Sequence, residues 1–284
     1  MFQSKGRIVS SEVNSTDLAV KPYGRLSFQQ VGRLLYIIFS MNFEQLLLIC
    51  AAIAVVAFLY SSVGHAGASG YIAVMTLFSL APTVIKPSAL VLNILVASLT
   101  SWQFWRAGHF SWRLFWPFAI LSVPLAFLGG YINLPTKVFK ILVGLVLLYS
   151  AVRFLLESKT DEEPHEPSKA VAISTGGVLG LLSGLTGTGG GIFLTPILIF
   201  KRWAKTKTAS GVSAMFILVN SISGLLGNVS STKQLPTFAL PLAVAAVTGG
   251  AVGSYFGSRQ FSPVFIKKML AVVLTIAGVK LIFT

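Results

Sequence analysis

Negative charge is scarce in this chain, and it is absent from the apolar segments. Among 284 residues there are 8 Asp and Glu against 22 Lys and Arg. The acids are Glu12, Asp17, Glu44, Glu157, Asp161, Glu162, Glu163 and Glu166; none lies inside an apolar run and none follows Glu166. Ion-coupled pumps place carboxylates at membrane depth to hold protons or cations, so this distribution argues against a carboxylate-based cation carrier. Cysteine is limited to Cys50, which rules out an intramolecular disulfide and a thiolate metal site. His65, His109 and His165 are far apart and share no metal-ligand spacing. No Ser/His/Asp constellation or Walker-type loop occurs. The sequence therefore offers catalysis no machinery and calls for no metal or cofactor.

Charge of either sign is sparse. Charged residues make up 11% of the chain and hydrophobic ones 54%, whereas a soluble domain carries about a quarter charged residues. Several apolar runs approach the ~20 residues that cross a bilayer as a helix. The expectation is an all-α polytopic membrane protein of about 8–10 transmembrane segments, in the inner membrane if the source is bacterial. The net charge of +14 sits in loops and at segment ends. There it suits anionic headgroups and membrane orientation better than nucleic acid.

Residues 1–42 form a polar tail whose apolar stretch, 34–41, is too short to span. Apolar runs then fall near 45–63, 70–81, 88–105, 114–131 and 138–156. After a charged linker at 157–169 come runs near 170–186, 190–200, 208–227, 237–256 and 265–283. Residues 43–156 and 170–284 resemble each other as two membrane repeats. Gly70 aligns with Gly191, Ala89 with Ala209, Pro117 with Pro241, Gly129 with Gly253, and Arg153 with Lys280. Five segments per repeat would invert the second. Inversion gathers the bases of 106–113, 201–207 and 257–268 on one side, although a tail with its own bases then falls opposite. If each glycine-rich pair crosses as one re-entrant unit, the repeats are parallel instead.

Two runs, 70–81 and 190–200, are only about half a bilayer long at 1.5 Å per residue. Both follow glycine-rich stretches. "SGLTGTGGGIFLTP" (183–196) holds five glycines and four hydroxyl residues. Non-helical backbone at membrane depth is tolerated only in protein or against a water-filled cavity. A helix that starts there leaves its first N–H groups unpaired at the positive end of its dipole, a site for an anion that needs no charged side chain. The candidate binding residues are Thr186, Gly187, Thr188, Gly189, Gly190 and Gly191 in the second repeat. In the first they are Ser62, Gly64, His65, Gly67, Ser69 and Gly70. Asn93 and Asn220, polar residues inside apolar helices, either touch substrate or join helices. "GGAVGSYFG" (249–257) reads as a close-packing face. Trp102, Trp105, Trp112 and Trp116 read as an interfacial belt.

The motif "GTGGGIFLTPIL" together with "YSSVGHAGASGYIAVM" (60–75) and the duplication resembles the sulfite-exporter (TauE/SafE) permease family over roughly residues 43–284. In the first motif Ala68-Ser69-Gly70 replaces the usual triple glycine. The resemblance implies a secondary transporter for sulfur-containing or organosulfonate-related anions. The expected partners are thus a small anionic substrate and membrane lipids. A passive anion channel and a carboxylate permease are the alternatives. Oligomeric state stays open.

Overall fold

In the computed structural model the described residues are 43–78, 80, 82–132, 163–232 and 240–283, with a few positions between 145 and 155. The tail, most of the run at 138–156 and part of the linker lie outside them. All regular structure among the described residues is helical. The helices are α1 (Phe43–Ser62), α2 (Ala68–Leu77), α3 (Pro82–Arg106), α4 (Trp112–Tyr131), α5 (Lys169–Thr186), α6 (Gly191–Phe200), α7 (Thr206–Thr232), α8 (Leu240–Tyr255) and α9 (Pro263–Phe283). A π-helical turn, Phe256–Gln260, extends α8. Among the described residues, 6 helices are long and apolar enough to cross a membrane.

Local chemistry sets the helix ends. Ser111 caps α4 by accepting from Leu114 N at 3.3 Å, and Ser168 caps α5 by accepting from Val171 N at 3.4 Å. Pro82 and Pro263 open α3 and α9, where a missing N–H leaves no bond unmade. Gly187 ends α5 in the left-handed conformation, donating its N–H to Ser183 O. α3 begins before the expected 88 and carries Pro87 inside it, where the hydrogen bond to the carbonyl of residue 83 is absent.

Close glycine contacts fix the helix directions. A Cβ on Gly176, Gly180 or Gly184 of α5 would overlap the carbonyl oxygens of Phe118, Ser122 and Ala126 of α4 in turn. The numbers rise together, so the two helices are parallel. Gly249, Gly253 and Gly257 lie in the same way on Ala54, Phe58 and Ser62 of α1, which makes 249–257 the packing face expected. α7 runs with α4, since Ser223 Oγ donates to Val123 O at 2.6 Å and Gly227 approaches Phe127. α8 runs with α3, because Gly250 meets Val96 and Arg259 donates to Gln103 Oε1 at 3.3 Å. α3 and α7 cross antiparallel: Asn93 pairs with Ser221, while Gly211 approaches Phe104. Thus α1, α3 and α8 point one way and α5, α7 and α4 the other. The repeats are inverted and interlocked, each lending a helix to the other's bundle.

The short helices turn back. Tyr60 bonds Ser69 while Val56 meets Gly70, so α2 folds antiparallel onto α1. Thr195 meets Ser213 while Gly191 meets Ile217, so α6 runs against α7. His165 N, before α5, donates to Arg202 O, after α6, at 2.9 Å. The α5–α6 hairpin therefore enters and leaves through the same face. The ends of α3 and α8 and the starts of α4, α5, α7 and α9 share that face. Arg106, Arg113, Lys169, Lys205, Lys207, Arg259 and Lys268 lie there; counted over the described residues, the positive-inside rule designates it the cytoplasmic face, and the tail's bases lie outside them. The four belt tryptophans are all exposed where α3 ends and α4 begins.

Candidate functional site

The two unwound turns share one register. Gly64 and Gly187, Gly67 and Gly190 all have positive φ, and α2 and α6 begin at Ala68 and Gly191. Each pair is separated by the same interval, so Gly191 corresponds to Ala68. The alignment of Gly70 with Gly191 is corrected accordingly. Gly70 lies inside the first turn of α2, where a Cβ would strike Val56. The pairing of Ala89 with Ala209 shifts as well. The fifth residues of α3 and α7 are Lys86 and Ser210, and these two face Gly187 and Gly64 respectively. Oily sequences align by their glycines and prolines, and small residues recur too often for that to fix a register to within three positions.

Both short helices start at mid-depth. Gly191 lies against Ser213 and Ile217, about 10–17 Å along α7 from its cytoplasmic start at 1.5 Å per residue. Ala68 lies against Asn93, about 17 Å along α3 from the opposite face. The two starts differ chemically. Asn93 Oδ1 accepts from Ala68 N at 3.1 Å while its Nδ2 donates to Ser221 Oγ at 2.8 Å. Asn93 therefore caps α2 and ties it to α7. The N-cap of α6 is Gly190, with φ +79° and no side chain to cap with. Among the described residues nothing caps the amides of Gly191 and Ile192. The first half-helix thus has a side-chain cap on its first amide, and the second has none among the described residues.

Much of the first-repeat candidate set is already engaged. Ser62 Oγ donates to Leu59 O at 2.7 Å. Ser69 Oγ pairs with Tyr60 Oη at 3.0 Å, and Ser69 O accepts from Lys280 Nζ. Gly67, with φ +104°, leaves room for the Tyr71 ring, whose hydroxyl donates to Ala66 O. In the second repeat, Thr186 Oγ1 donates to Leu182 O at 2.8 Å and meets Thr188 Oγ1 at 2.8 Å. Gly189 abuts Asn93 and Ser221, and Gly190 abuts Phe216 and Ser183.

His65 crosses to the second repeat, its Nε2 lying 2.9 Å from Thr195 Oγ1. Thr195 Oγ1 also lies 3.1 Å from Gly191 O and 2.7 Å from Ser213 Oγ. Thr195 Oγ1 donates to Ser213 Oγ, with Gly191 O as a longer second acceptor. Its one hydrogen is thus engaged, and it receives His65 Nε2–H. His65 Nδ1 is then a buried acceptor with no partner among the described residues. Ser61 Oγ, Ser183 Oγ, Ser210 Oγ and both amide atoms of Asn220 are likewise buried without a partner among them. Phe216, Asn220 and Gly224 follow one another on one face of α7. Phe216 meets Gly190, and Gly224 approaches Gly184. Asn220 therefore lies between them, beside the end of α5 that carries Ser183. An unpaired buried polar group costs about 1–3 kcal/mol, and Ser183 Oγ and the Asn220 amide carry that cost beside the uncapped start of α6.

Sequence reasoning missed Thr195, Ser213 and Lys86. Thr195 stood in the quoted motif one turn after Gly191, on the face that a helical wheel gives to the helix start.

An inverted-repeat helical bundle with broken half-helices that start at mid-depth is a plan that recurs among membrane transporters. The family described as "Sulfite exporter TauE/SafE" matches residues 49–281, and the chain belongs to that family. It is 39% identical over 237 residues to "Probable membrane transporter protein y4hK" of Sinorhizobium fredii, covering 82% of this chain and 96% of that one. It is 24% identical over 238 residues to "Probable membrane transporter protein YjnA" of Bacillus subtilis, covering 77% and 92%. A "Probable membrane transporter protein" of Haemophilus influenzae is 28% identical over 235 residues, covering 75% and 86%. No solved structure matches. The chain is an integral membrane protein of a transporter family.

Proposed function

We propose that this protein carries a small anion, a sulfur oxyanion such as sulfite or an organosulfonate, by alternating access, and that it catalyses no covalent chemistry. The observation that carries this reading is the uncapped start of α6 at mid-depth, bordered by buried polar atoms without partners. Amides of Gly190, Gly191 and Ile192 donate to the anion, and Ser183 Oγ and Asn220 Nδ2 add donors. The helix dipole adds the favourable sign. Carboxylates at this depth would repel an anion, and the described acids Glu44, Glu163 and Glu166 lie near helix ends. His65 Nδ1 accepts a hydrogen from a protonated oxyanion, which couples substrate protonation to binding. The inverted halves supply the two rocking bodies of alternating access. The family's description supports the sulfur chemistry.

The test is equilibrium binding of radiolabelled sulfite to purified protein, with Ser183→Ala as the variant. A loss of roughly 10-fold in affinity is expected for one lost hydrogen bond to a charged group. Unchanged affinity would refute the site. Accumulation against a gradient in proteoliposomes is expected of a carrier, whereas a passive channel would only equilibrate.

A further inference from the structure

We propose that Lys86 is the cation that takes up the transported anion at the non-cytoplasmic mouth; this assignment rests on the anion-carrier reading above. Lys86 is the fifth residue of α3, about 6 Å along the helix from its non-cytoplasmic end. Its stem lies over Gly187, the left-handed residue that ends α5. A Cβ built there would sit 3.2 Å from Lys86 Cγ, 3.5 Å from Cε and 3.8 Å from Cδ. The ammonium is thus held at the rim of the turn that runs through Thr188 and Gly189 to the open start of α6. Lys86 is half-buried, and among the described residues it has no acid or hydrogen-bond partner. The described salt bridges join Arg113 to Glu166 and Lys205 to Glu163, both at the cytoplasmic face.

The inverted repeat supplies an internal control. Ser210, the fifth residue of α7, occupies the matching place over Gly64 near the cytoplasmic mouth. There Gly64 packs on the backbone carbonyl and Cβ of Ser210, so the matching position carries neither a long stem nor a charge. A charge in a half-buried place, with no counter-ion among the described residues, is costly. An incoming anion offsets that cost, which makes the mouth attractive to anions and repellent to cations.

The experiment uses the full chain in proteoliposomes, with radiolabelled sulfite, thiosulfate and sulfoacetate as separate probes. Lys86→Met keeps the stem over Gly187 and removes the charge; Lys86→Arg keeps the charge. We expect Lys86→Met to raise KM about tenfold or more for uptake from the non-cytoplasmic side, with KM from the cytoplasmic side within about twofold. Lys86→Arg should stay close to wild type. Equal KM in Lys86→Met and wild type would overturn the assignment, and so would equal losses from both sides. If Lys86→Met does not fold, Lys86→Cys in a Cys50→Ala background replaces it, modified by thiol reagents that add either an aminoethyl or a methyl group. Recovery with the cationic adduct alone supports the assignment, and equal activity of the two adducts refutes it. Wild-type protein that neither binds nor moves any probe would refute the anion reading itself, while a wild-type carrier unaffected by Lys86→Met refutes only Lys86.

Discussion

Asn220→Leu separates a binding residue from a structural one. Asn220 is 1% exposed, and neither its Oδ1 nor its Nδ2 has a partner among the described residues. A buried polar group left unpaired costs about 1–3 kcal/mol, and an apolar residue of the same shape removes that cost. Leucine matches asparagine closely in length and branching. Ligand-free Asn220→Leu should therefore be about 1–3 kcal/mol more stable than wild type. For a chain of this size that appears as a rise of a few degrees in the unfolding midpoint. Anion binding should move the other way. A hydrogen bond to a charged group contributes about 1.5–3 kcal/mol, so Kd should weaken about 10–150-fold. The assay is thermal unfolding in detergent with and without sulfite, read beside radioligand binding on the same preparation. The expected result is a higher midpoint without sulfite and a smaller shift on adding it. A variant less stable than wild type with unchanged affinity would show that Asn220 is a satisfied core residue, and its assignment to the anion site would fail.

Four further outcomes follow from the same geometry. Thr195→Val keeps the shape but removes the hydroxyl shared by His65, Ser213 and Gly191; it should destabilise the protein by about 1–3 kcal/mol in thermal unfolding, with an unchanged midpoint as the contrary result. Asn93→Leu uncaps α2 and should lower stability by about 0.5–2 kcal/mol, more than the same change at Asn220, whose sign is opposite. Gly253→Leu forces a side chain into the carbonyl of Phe58, and size-exclusion profiles should show loss of folded protein. His109, in the cytoplasmic loop between α3 and α4, has its pKa lowered by burial and by the neighbouring Lys207. The folded state then binds its proton less readily than the unfolded chain. Its contribution to stability is therefore present above its usual pKa of about 6.5 and is lost as pH falls below it. His109→Asn should flatten stability against pH in that acidic window.

Much of the architecture was legible in the chain. Apolar runs bounded by glycine, proline and charge located the helices, and the starts of the short pair at 70 and 190 fell within two residues of Ala68 and Gly191. The repeat register was legible only approximately, because the alignment leaned on small residues that recur for packing reasons. The unwound start of the second half-helix was legible as a region. "TGTGGG" does open a half-helix, with positive φ at Gly187, Gly189 and Gly190. Individual roles were not legible. Thr186 and Thr188 share a contact, and Thr186 bonds its own helix, whereas Ser183 Oγ and the side-chain amide of Asn220 have no partner among the described residues.

By itself the sequence determined that the chain is helical, crosses a membrane, is duplicated and lacks carboxylates at depth. Composition and periodicity decide these things, because a bilayer demands apolar runs with every backbone bond closed within the segment. Tertiary structure alone decided that the repeats interlock in opposite senses and that Asn93 caps one half-helix while the other has no side-chain cap among the described residues. It also decided that Lys86, rather than a residue of the glycine motif, lies over Gly187. These are contacts between segments far apart in the chain, set by which helix faces meet, and no local pattern encodes them.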